Sequence, residues 1–335
     1  KNLNFLTLCN NFVYINRLIF IRLLNKIMLL ETLLFPLGII LLAIGGDRLV
    51  LGAKDLSSKL QVPPFIIGIF ILGFGTSLPE LFVTIRALEN GNTDIAIGGI
   101  LGSNIANILL VLGVSLFLLK NKSIDAISLK DIFVMLIATI LFCYFIYSGS
   151  ISKDWAYVMA VSLPIYLYIS YKFFNKKNND FDYKSTSSNT IIIINLFIGF
   201  GLLIYGSQLF IDGLIIISKF YGIPESVVGI SLAAIGTSLP ELSVTVAAFI
   251  RKEGSVALGN IVGSNIFNII GVLGFSVLIS GEFSFSNEFR GINSLILLIT
   301  SLWVLYIAMS KPNNTKLFGS ISILSYLFYT IFIYL

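Results

Sequence analysis

The sequence predicts an all-α polytopic membrane protein whose ten transmembrane helices form two inverted five-helix repeats. Three observations predict this fold: an apolar composition, a long motif that occurs twice, and an odd number of apolar spans in each half. Hydrophobic residues make up 56% of the 335 residues and charged residues only 12%, and the mean hydropathy is +0.95. Soluble domains carry roughly 25% charged residues, so the composition excludes an ordinary soluble protein.

Apolar runs long enough to cross a bilayer, about 20 residues each, recur along the chain. They fall near 33–53, 65–88, 95–119, 131–148, 154–172, 190–211, 225–250, 255–280, 292–310 and 316–335. We interpret 28–172 as the first five-helix repeat, the polar stretch 173–189 as a linker and 190–335 as the second repeat. Residues 1–27 are interrupted by Asn and Arg, and we interpret them as an extension without a function, with an interfacial helix as the alternative.

A long motif occurs once in each half. Residues 75–84 read GTSLPELFVT and residues 236–245 read GTSLPELSVT, while GSNIANI at 102–108 is answered by GSNIFNI at 263–269. Both pairs are separated by 161 residues, and the alignment over 63–113 has no gap, with about half of its positions identical. Such internal similarity predicts two homologous halves.

The odd number of spans per half predicts that the second half is inserted upside down, because each half begins and ends on opposite sides of the membrane. The positive-inside rule tests this prediction. Loops after spans 1, 3, 5, 7 and 9 hold Arg48, Lys54, Lys59, Lys120, Lys122, Lys130, Lys172, Lys176, Lys177, Lys184, Arg251, Lys252, Lys311 and Lys316. The other loops hold only Arg86, Lys153, Lys219 and Arg290. We therefore expect a multi-pass protein of a prokaryotic plasma membrane, with the linker 173–189 in the cytoplasm.

Each copy of the motif places a carboxylate, Glu80 or Glu241, inside an apolar span. A carboxylate within a membrane is costly and usually functional. The same cost at two equivalent positions predicts one composite site built from both halves.

The residues around these carboxylates predict a cation site made of oxygen atoms. Pro79 removes a backbone donor and obstructs the carbonyl of Gly75, four residues back. Such a break within a membrane is tolerated where it lines a cavity or is buried in protein. It offers carbonyl oxygens, the hydroxyls of Thr76 and Ser77 and the Glu80 carboxylate, which are hard ligands that suit Na⁺, Ca²⁺ or Mg²⁺. The equivalent residues of the second half are Ala234, Thr237, Ser238, Pro240 and Glu241.

The following span of each repeat contributes a serine and an asparagine. Ser103 and Asn107 are four residues apart and so share one helix face, and Ser264 and Asn268 repeat this spacing. Polar residues of this kind also serve as interhelical hydrogen bonders. For Asn104 and Asn265 we expect that structural role, through bonds to the broken backbone of a neighbouring helix.

The paired GTSLPE and GSNxxN motifs resemble the two α-repeats of the sodium/calcium exchanger family, within the cation/calcium antiporter superfamily. The resemblance runs from about residue 30 to the end of the chain, and the short linker resembles the prokaryotic type. It implies Na⁺-driven Ca²⁺ exchange by alternating access, with ions bound midway across the membrane between spans 2, 3, 7 and 8. The residues implied for Ca²⁺ are Glu80, Glu241 and the carbonyls of Thr76 and Thr237. Those implied for Na⁺ are Ser77, Ser238, Ser103, Ser264 and the carbonyls of Gly73 and Ala234, with Asn107 and Asn268 completing the centre.

One departure from the family affects the predicted charge of the site. Some members, including the K⁺-dependent branch, carry Asp at the position of Asn268, whereas here both repeats carry Asn. Two carboxylates balance one Ca²⁺, and they can hold two Na⁺ at neutrality and a third with help from carbonyl dipoles. This predicts an electrogenic, K⁺-independent exchanger of Ca²⁺ and Na⁺, embedded in the bilayer, with no resident cofactor, nucleic acid or obligate protein partner.

Three alternatives stay open. The same architecture also suits H⁺/Ca²⁺ or K⁺-dependent exchange. An intramembrane hydrolase using Ser77 or Ser238 is a remote alternative, because the chain contains no histidine and no lysine lies inside a span, Lys172 and Lys316 standing at span ends. Neither usual base for a serine nucleophile is therefore present within the membrane. A channel is a further alternative, against which the inverted repeats argue. We therefore expect a transporter rather than an enzyme.

Overall fold

The computed structural model describes residues 33–118, 129–174, 185–221, 236–284, 286 and 289–334. The first half contains α1 (Leu34–Leu60), α2 (Pro64–Ile67, Gly68–Gly73 and Phe74–Thr76 in succession), α3 (Leu78–Glu89), α4 (Thr93–Leu118), α5 (Leu129–Ser148) and α6 (Lys153–Phe174). The second half contains α7 (Asn189–Phe220), α8 (Leu239–Ile250), α9 (Gly254–Ser280), α10 (Ile292–Ser310) and α11 (Thr315–Tyr334). Two-residue strands, β1 (Ser150–Ile151) and β2 (Phe283–Ser284), follow α5 and α9.

Within these described ranges, eight helical segments are long and apolar enough to cross a membrane. They are Leu34–Leu60, Pro64–Glu89, Thr93–Leu118, Leu129–Ser148, Asn189–Ile217, Gly254–Ser280, Ile292–Ser310 and Thr315–Phe332. Helix α6 coincides with the fifth predicted span, and α8 is the described part of the seventh, whose beginning lies outside the described residues. The predicted all-α membrane fold is confirmed. The predicted extension 1–27 and most of the linker lie outside the described residues.

The first helices of the two halves, α1 and α7, pack against each other in opposite directions. Gly38, near the start of α1, lies against Gly206 and Phe210, whereas Gly45 lies against Gly199, earlier in α7. A Cβ atom on Gly38 would be 2.7 Å from the Gly206 carbonyl oxygen, so the two backbones are in contact. The glycines of this seam recur every seven residues, as Gly38, Gly45 and Gly52 in α1 and Gly199, Gly206 and Gly213 in α7.

The fourth helices of the two halves, α5 and α10, are also antiparallel. The hydroxyls of Thr139 and Ser301 are 3.1 Å apart, and the Cys143 thiol, one turn later in α5, donates to the carbonyl of Ser294, two turns earlier in α10, at 3.6 Å. Equivalent helices that run in opposite directions are the geometric signature of inverted repeats. The arrangement predicted from the odd span count is therefore present in the structure.

In contrast, α2 and α9 come from different halves and run parallel, close enough for backbone contact. A Cβ atom on Gly259 would lie 2.2 Å from the Phe65 carbonyl oxygen, and one on Gly263 would lie 2.7 Å from the Cα atom of Ile69. One turn further along α2, Gly73 lies against Gly263. Because glycine has no side chain, it allows membrane helices to approach this closely. This contact sets the position of the end of α2.

At one end of the molecule, α1 contacts the turn between α8 and α9 and the start of α7. Lys54 pairs with Glu253 at 2.7 Å, and the Arg251 guanidinium donates to the Asp47 carboxylate at 2.7 Å. The Lys59 ammonium donates to the Asn189 side chain at 3.2 Å. The loops after spans 1, 5 and 7, which carry many of the predicted cytoplasmic charges, thus lie together.

At the other end, the segments that follow α5 and α9 are joined. Strands β1 and β2 pair in antiparallel fashion, with Ser150 opposite Ser284. The Lys153 amide donates to the Glu282 carboxylate at 3.0 Å, and the Ser286 amide donates to the Asp94 carboxylate at 2.8 Å. The short pairing satisfies backbone groups outside the spans, and it gathers the loops after spans 2, 4 and 8 at the same end.

Candidate cation-binding site

The repeated motif breaks a transmembrane helix in each half. Helix α2 ends at Thr76 and α3 begins at Leu78, with Ser77 between them at φ −85° and ψ 3°. Pro79 stands in the first turn of α3 and has no N–H, so the Gly75 carbonyl cannot receive the usual bond from the residue four positions on. In the second half, Ser238 precedes α8 with φ −86° and ψ 1°. Equal sequences have produced equal breaks.

Wide helical turns surround the two breaks. The segments Gly68–Gly73 of α2, Asn107–Val111 of α4 and Phe267–Leu273 of α9 are π-helical. Turns of this kind are rare and concentrate at functional sites. Two of them contain the predicted site asparagines, and the third ends at Gly73.

The predicted site residues carry buried polar atoms that have no hydrogen-bond partner among the described residues. The carboxylates of Glu80 and Glu241 are both in this position, with all four oxygen atoms buried. The others at the site are the hydroxyls of Ser77 and Ser238, the side-chain amide of Asn107 and the Asn268 carbonyl oxygen. An unpaired buried polar group costs roughly 1–3 kcal/mol, and a charged one costs more. This cluster therefore suits a ligand that supplies positive charge.

The two carboxylates belong to one cluster, because each lies near polar groups of the other half. The Glu80 carboxylate lies close enough to Glu241 for electrostatic repulsion, and the Thr237 hydroxyl lies near the Glu80 carboxylate. The hydroxyls of Thr76, Ser77 and Ser264 lie near the Glu241 carboxylate.

Hydrogen bonds also join the two halves at this level. The hydroxyls of Thr76 and Ser264 are 3.2 Å apart, and the Ser264 hydroxyl donates to the Gly73 carbonyl at 3.4 Å. The Asn268 amide donates to the Ser103 hydroxyl at 3.1 Å. The Asn268 carbonyl oxygen has no hydrogen-bond partner among the described residues.

The remaining predicted residues fall as follows. The Gly73 carbonyl, besides the bond from Ser264, accepts a hydrogen bond from the Ser77 amide at 3.3 Å. Ala234 lies outside the described residues, so its carbonyl stays a prediction. The Asn104 and Asn265 amides donate to their own helices, at the carbonyls of Ile100 (2.7 Å) and Ile261 (2.8 Å). The expected bonds to a neighbouring helix are not found among the described residues, and because 222–235 lie outside these, the expectation for Asn265 stays a prediction. A carbonyl one turn back is the nearest acceptor to a helical side chain.

Sequence reasoning missed one residue of the site, Asn260. It is fully buried in α9, and its side chain contacts Thr76, the Glu241 backbone and Thr245. A signal was present, since Asn260 lies one turn before Ser264, on the face that continues to Asn268.

The donor set of this site is two carboxylates surrounded by neutral oxygen atoms. No group of three or more His, Cys, Asp or Glu in the described chain could hold a metal ion. Hard oxygen ligands of low total charge fit a Ca²⁺ or Na⁺ ion that enters and leaves, and they do not fit a soft transition metal.

Inverted repeats with broken helices and paired carboxylates in the membrane define a secondary transporter of cations. Residues 30–172 and 191–335 match the family model described as sodium/calcium exchanger protein. The chain therefore belongs to the sodium/calcium exchanger family and is a multi-pass membrane antiporter, not an enzyme.

Individual relatives agree with this assignment. Inner membrane protein YrbG of Escherichia coli is 31% identical over 304 residues, which cover 85% of this chain and 91% of that protein. Sodium/calcium exchanger MaX1 of Methanosarcina acetivorans is 32% identical over 287 residues, 73% of this chain and 82% of its own. The solved structure of the sodium-calcium exchanger NCX_Mj, soaked with 10 mM Na⁺ and zero Ca²⁺, superposes with a TM-score of 0.77 at 32% identity, covering 90% of this chain and 98% of that one.

Proposed function

We propose that this protein exchanges Na⁺ for Ca²⁺ by alternating access, and that each cycle moves net charge without requiring K⁺. The observation that carries the proposal is the pair of buried carboxylates, Glu80 and Glu241, whose oxygen atoms have no protein partner in the described part of the chain. Two negative charges in an apolar interior match one Ca²⁺ in charge. The names of MaX1 and NCX_Mj support Na⁺ as the counter-ion.

In this proposal the two glutamates and the carbonyls of Thr76 and Thr237 hold Ca²⁺. Four serines and the backbone carbonyls of Gly73 and Ala234 hold Na⁺. The serines are Ser77, Ser238, Ser103 and Ser264. Asn107 and Asn268 supply amide oxygens at the centre. Because Ca²⁺ accepts six to eight oxygen ligands and Mg²⁺ demands a tight octahedron, an irregular cage of this kind favours Ca²⁺ over Mg²⁺.

The direct test is Ca²⁺ flux in vesicles that contain the purified protein, with imposed gradients of Na⁺, H⁺ or K⁺. We expect the Na⁺ gradient alone to drive Ca²⁺ movement. Exchanging three Na⁺ for one Ca²⁺ moves one charge, worth roughly 2.3 kcal/mol at 100 mV, so an imposed voltage should change the rate. Flux driven by H⁺, or flux that needs K⁺, would replace the proposal with one of the two other couplings.

We also propose that the protein lies in the plasma membrane with the linker 173–189 in the cytoplasm. With Cys9 and Cys143 replaced by Ser, Asn178→Cys is expected to react with an impermeant thiol reagent only from the cytoplasmic side. Asn92→Cys, in the turn after α3, is expected to react only from outside. The reason is the excess of Lys and Arg in loops on one side. Labelling of both cysteines from one side contradicts this topology.

The neutral residue at 268 is expected to determine independence from K⁺. Asn268→Asp places a third carboxylate beside Glu80 and Glu241. The repulsion between like charges at short range is relieved when the new group takes up a proton or recruits another cation. We expect exchange by this variant to depend on pH or on K⁺ concentration, while the unaltered protein is insensitive to K⁺. A variant with the ion dependence of the unaltered protein would remove Asn268 from this role.

A further inference from the structure

Asn260 connects the broken end of α2 with the first turns of α8. Its side-chain carbonyl oxygen lies 3.3 Å from the Thr76 hydroxyl, whose one hydrogen is shared between this oxygen and the Leu72 carbonyl at 2.9 Å. Its amide donates to the backbone carbonyl of Glu241 at 3.4 Å and to the Thr245 hydroxyl at 3.2 Å. Asn260, Thr76, Glu241 and Thr245 are all buried, so water does not compete for these bonds. One amide thus joins the first copy of the motif to the second.

The other half of the site has no equivalent amide. The position 161 residues before Asn260 is Gly99, which has no side chain, although Thr84 and Thr237 match Thr245 and Thr76. The neighbouring positions on this face are equal in both halves, with Ser103 and Asn107 matching Ser264 and Asn268. The pseudo-symmetry of the site is therefore broken at this position of the shared face.

We propose that Asn260 is a positioning residue that holds the Glu241 half of the site rigid and thereby sets its preference for Ca²⁺ over Na⁺. The inference rests on the proposed function, because it concerns the ions that this site binds. Asn260 does not contact the ion in this proposal. It fixes the Glu241 backbone carbonyl, and with it the first turn of α8 that carries the Glu241 carboxylate, relative to Thr76 of the other half.

The preference follows from charge. When Asn260 is removed, the start of α8 gains freedom and the Glu241 carboxylate spends less time at the distance that the ion requires. The Coulomb energy of an ion with a carboxylate is proportional to the ion's charge, so this displacement costs Ca²⁺ about twice the free energy that it costs Na⁺. The fold-change in Ca²⁺ affinity is therefore expected to be about the square of the fold-change in Na⁺ affinity.

The experiment measures equilibrium Ca²⁺ binding to the purified full-length protein, and its displacement by Na⁺. For Asn260→Ala, which loses all three contacts, we expect Ca²⁺ affinity to fall about tenfold and Na⁺ affinity about threefold. Because binding is measured directly, the result does not depend on which ion drives transport. Unaltered protein that binds both ions but fails to exchange them would count against the proposed function and leave this inference intact.

Two further variants separate positioning from folding. Asn265→Ala removes another buried amide of α9, which among the described residues donates within its own helix, and it is expected to keep the ratio of Ca²⁺ to Na⁺ affinity. Thr245→Val removes one acceptor of Asn260 with little change of shape, and we expect the same shift as for Asn260→Ala, but smaller. The double variant is expected to be no worse than Asn260→Ala alone. Equal fold-changes for both ions, or additive effects of the two substitutions, would overturn the assignment.

Discussion

Replacing either Glu80 or Glu241 by Gln is expected to abolish Ca²⁺ exchange. Each substitution removes half of the negative charge that balances the ion, in a site where both carboxylates are buried. At an effective dielectric of about 20, a carboxylate at 4 Å contributes roughly 4 kcal/mol to binding a monovalent ion and about twice that to binding Ca²⁺, so the loss of Ca²⁺ affinity is expected to exceed about a thousandfold. The measurement is Na⁺-driven Ca²⁺ uptake into vesicles, normalised to the amount of inserted protein.

The matched control is Glu89→Gln, the same chemical change at an exposed position of the same helix as Glu80. It is expected to transport normally. The two site variants are expected to insert normally, because neither glutamate has a hydrogen-bond partner in the described chain that the substitution would break. Near-normal flux through either correctly inserted site variant would exclude a shared site for Ca²⁺.

Gly259→Ala is expected to cause the second-largest loss, by separating α2 from α9. The new Cβ atom would lie 2.2 Å from the Phe65 carbonyl oxygen, which is backbone and cannot rotate away. Overpacking of this kind costs about 1–3 kcal/mol or more. The shift would also pull Ser264, five residues further along α9, away from Gly73 and Thr76. We expect at least a tenfold fall in transport and a lower melting temperature in detergent.

Gly201→Ala is the control for this substitution. Gly201 lies on an exposed face of α7, and a Cβ atom there would meet no described atom within 4 Å. Alanine also favours a helix by about 1 kcal/mol over glycine, so this variant is expected to be at least as stable as the unaltered protein. If Gly259→Ala kept both activity and melting temperature, the close contact of α2 with α9 would not be what positions the site.

Much of the site could be predicted from the sequence, because its strongest signal is local. A glutamate within an apolar span beside Pro79 or Pro240 is costly in any arrangement of helices, so Glu80 and Glu241 stood out without a structure. The i, i+4 spacing likewise placed Ser264 and Asn268 on one helix face. Repetition at a constant offset then predicted that both halves contribute equivalent groups.

Contacts between helices could not be predicted in the same way. Asn260 looked like an ordinary polar residue of a buried span, and only the packing of α9 against α2 and α8 brings it to Thr76 and Thr245. The amides of Asn104 and Asn265, which were expected to bond to neighbouring helices, donate within their own helices in the described part of the chain. Which acceptor a side chain reaches depends on distances of a few tenths of an ångström, and spacing along one helix does not contain them.

By itself, the sequence determined the membrane location, the number of spans, the inverted relation of the halves and the two carboxylates. Each follows from hydropathy, parity, charge or repetition, which are properties of a chain read in order. Only the tertiary structure decided that α1 and α7 meet along glycines, that Thr76 meets Ser264 across the halves, and that Asn260 contacts both Thr76 and Thr245. In a membrane, helices gain little from burying apolar surface against each other, so close packing and hydrogen bonds decide how they associate. Those short-range contacts exist only once the helices are packed.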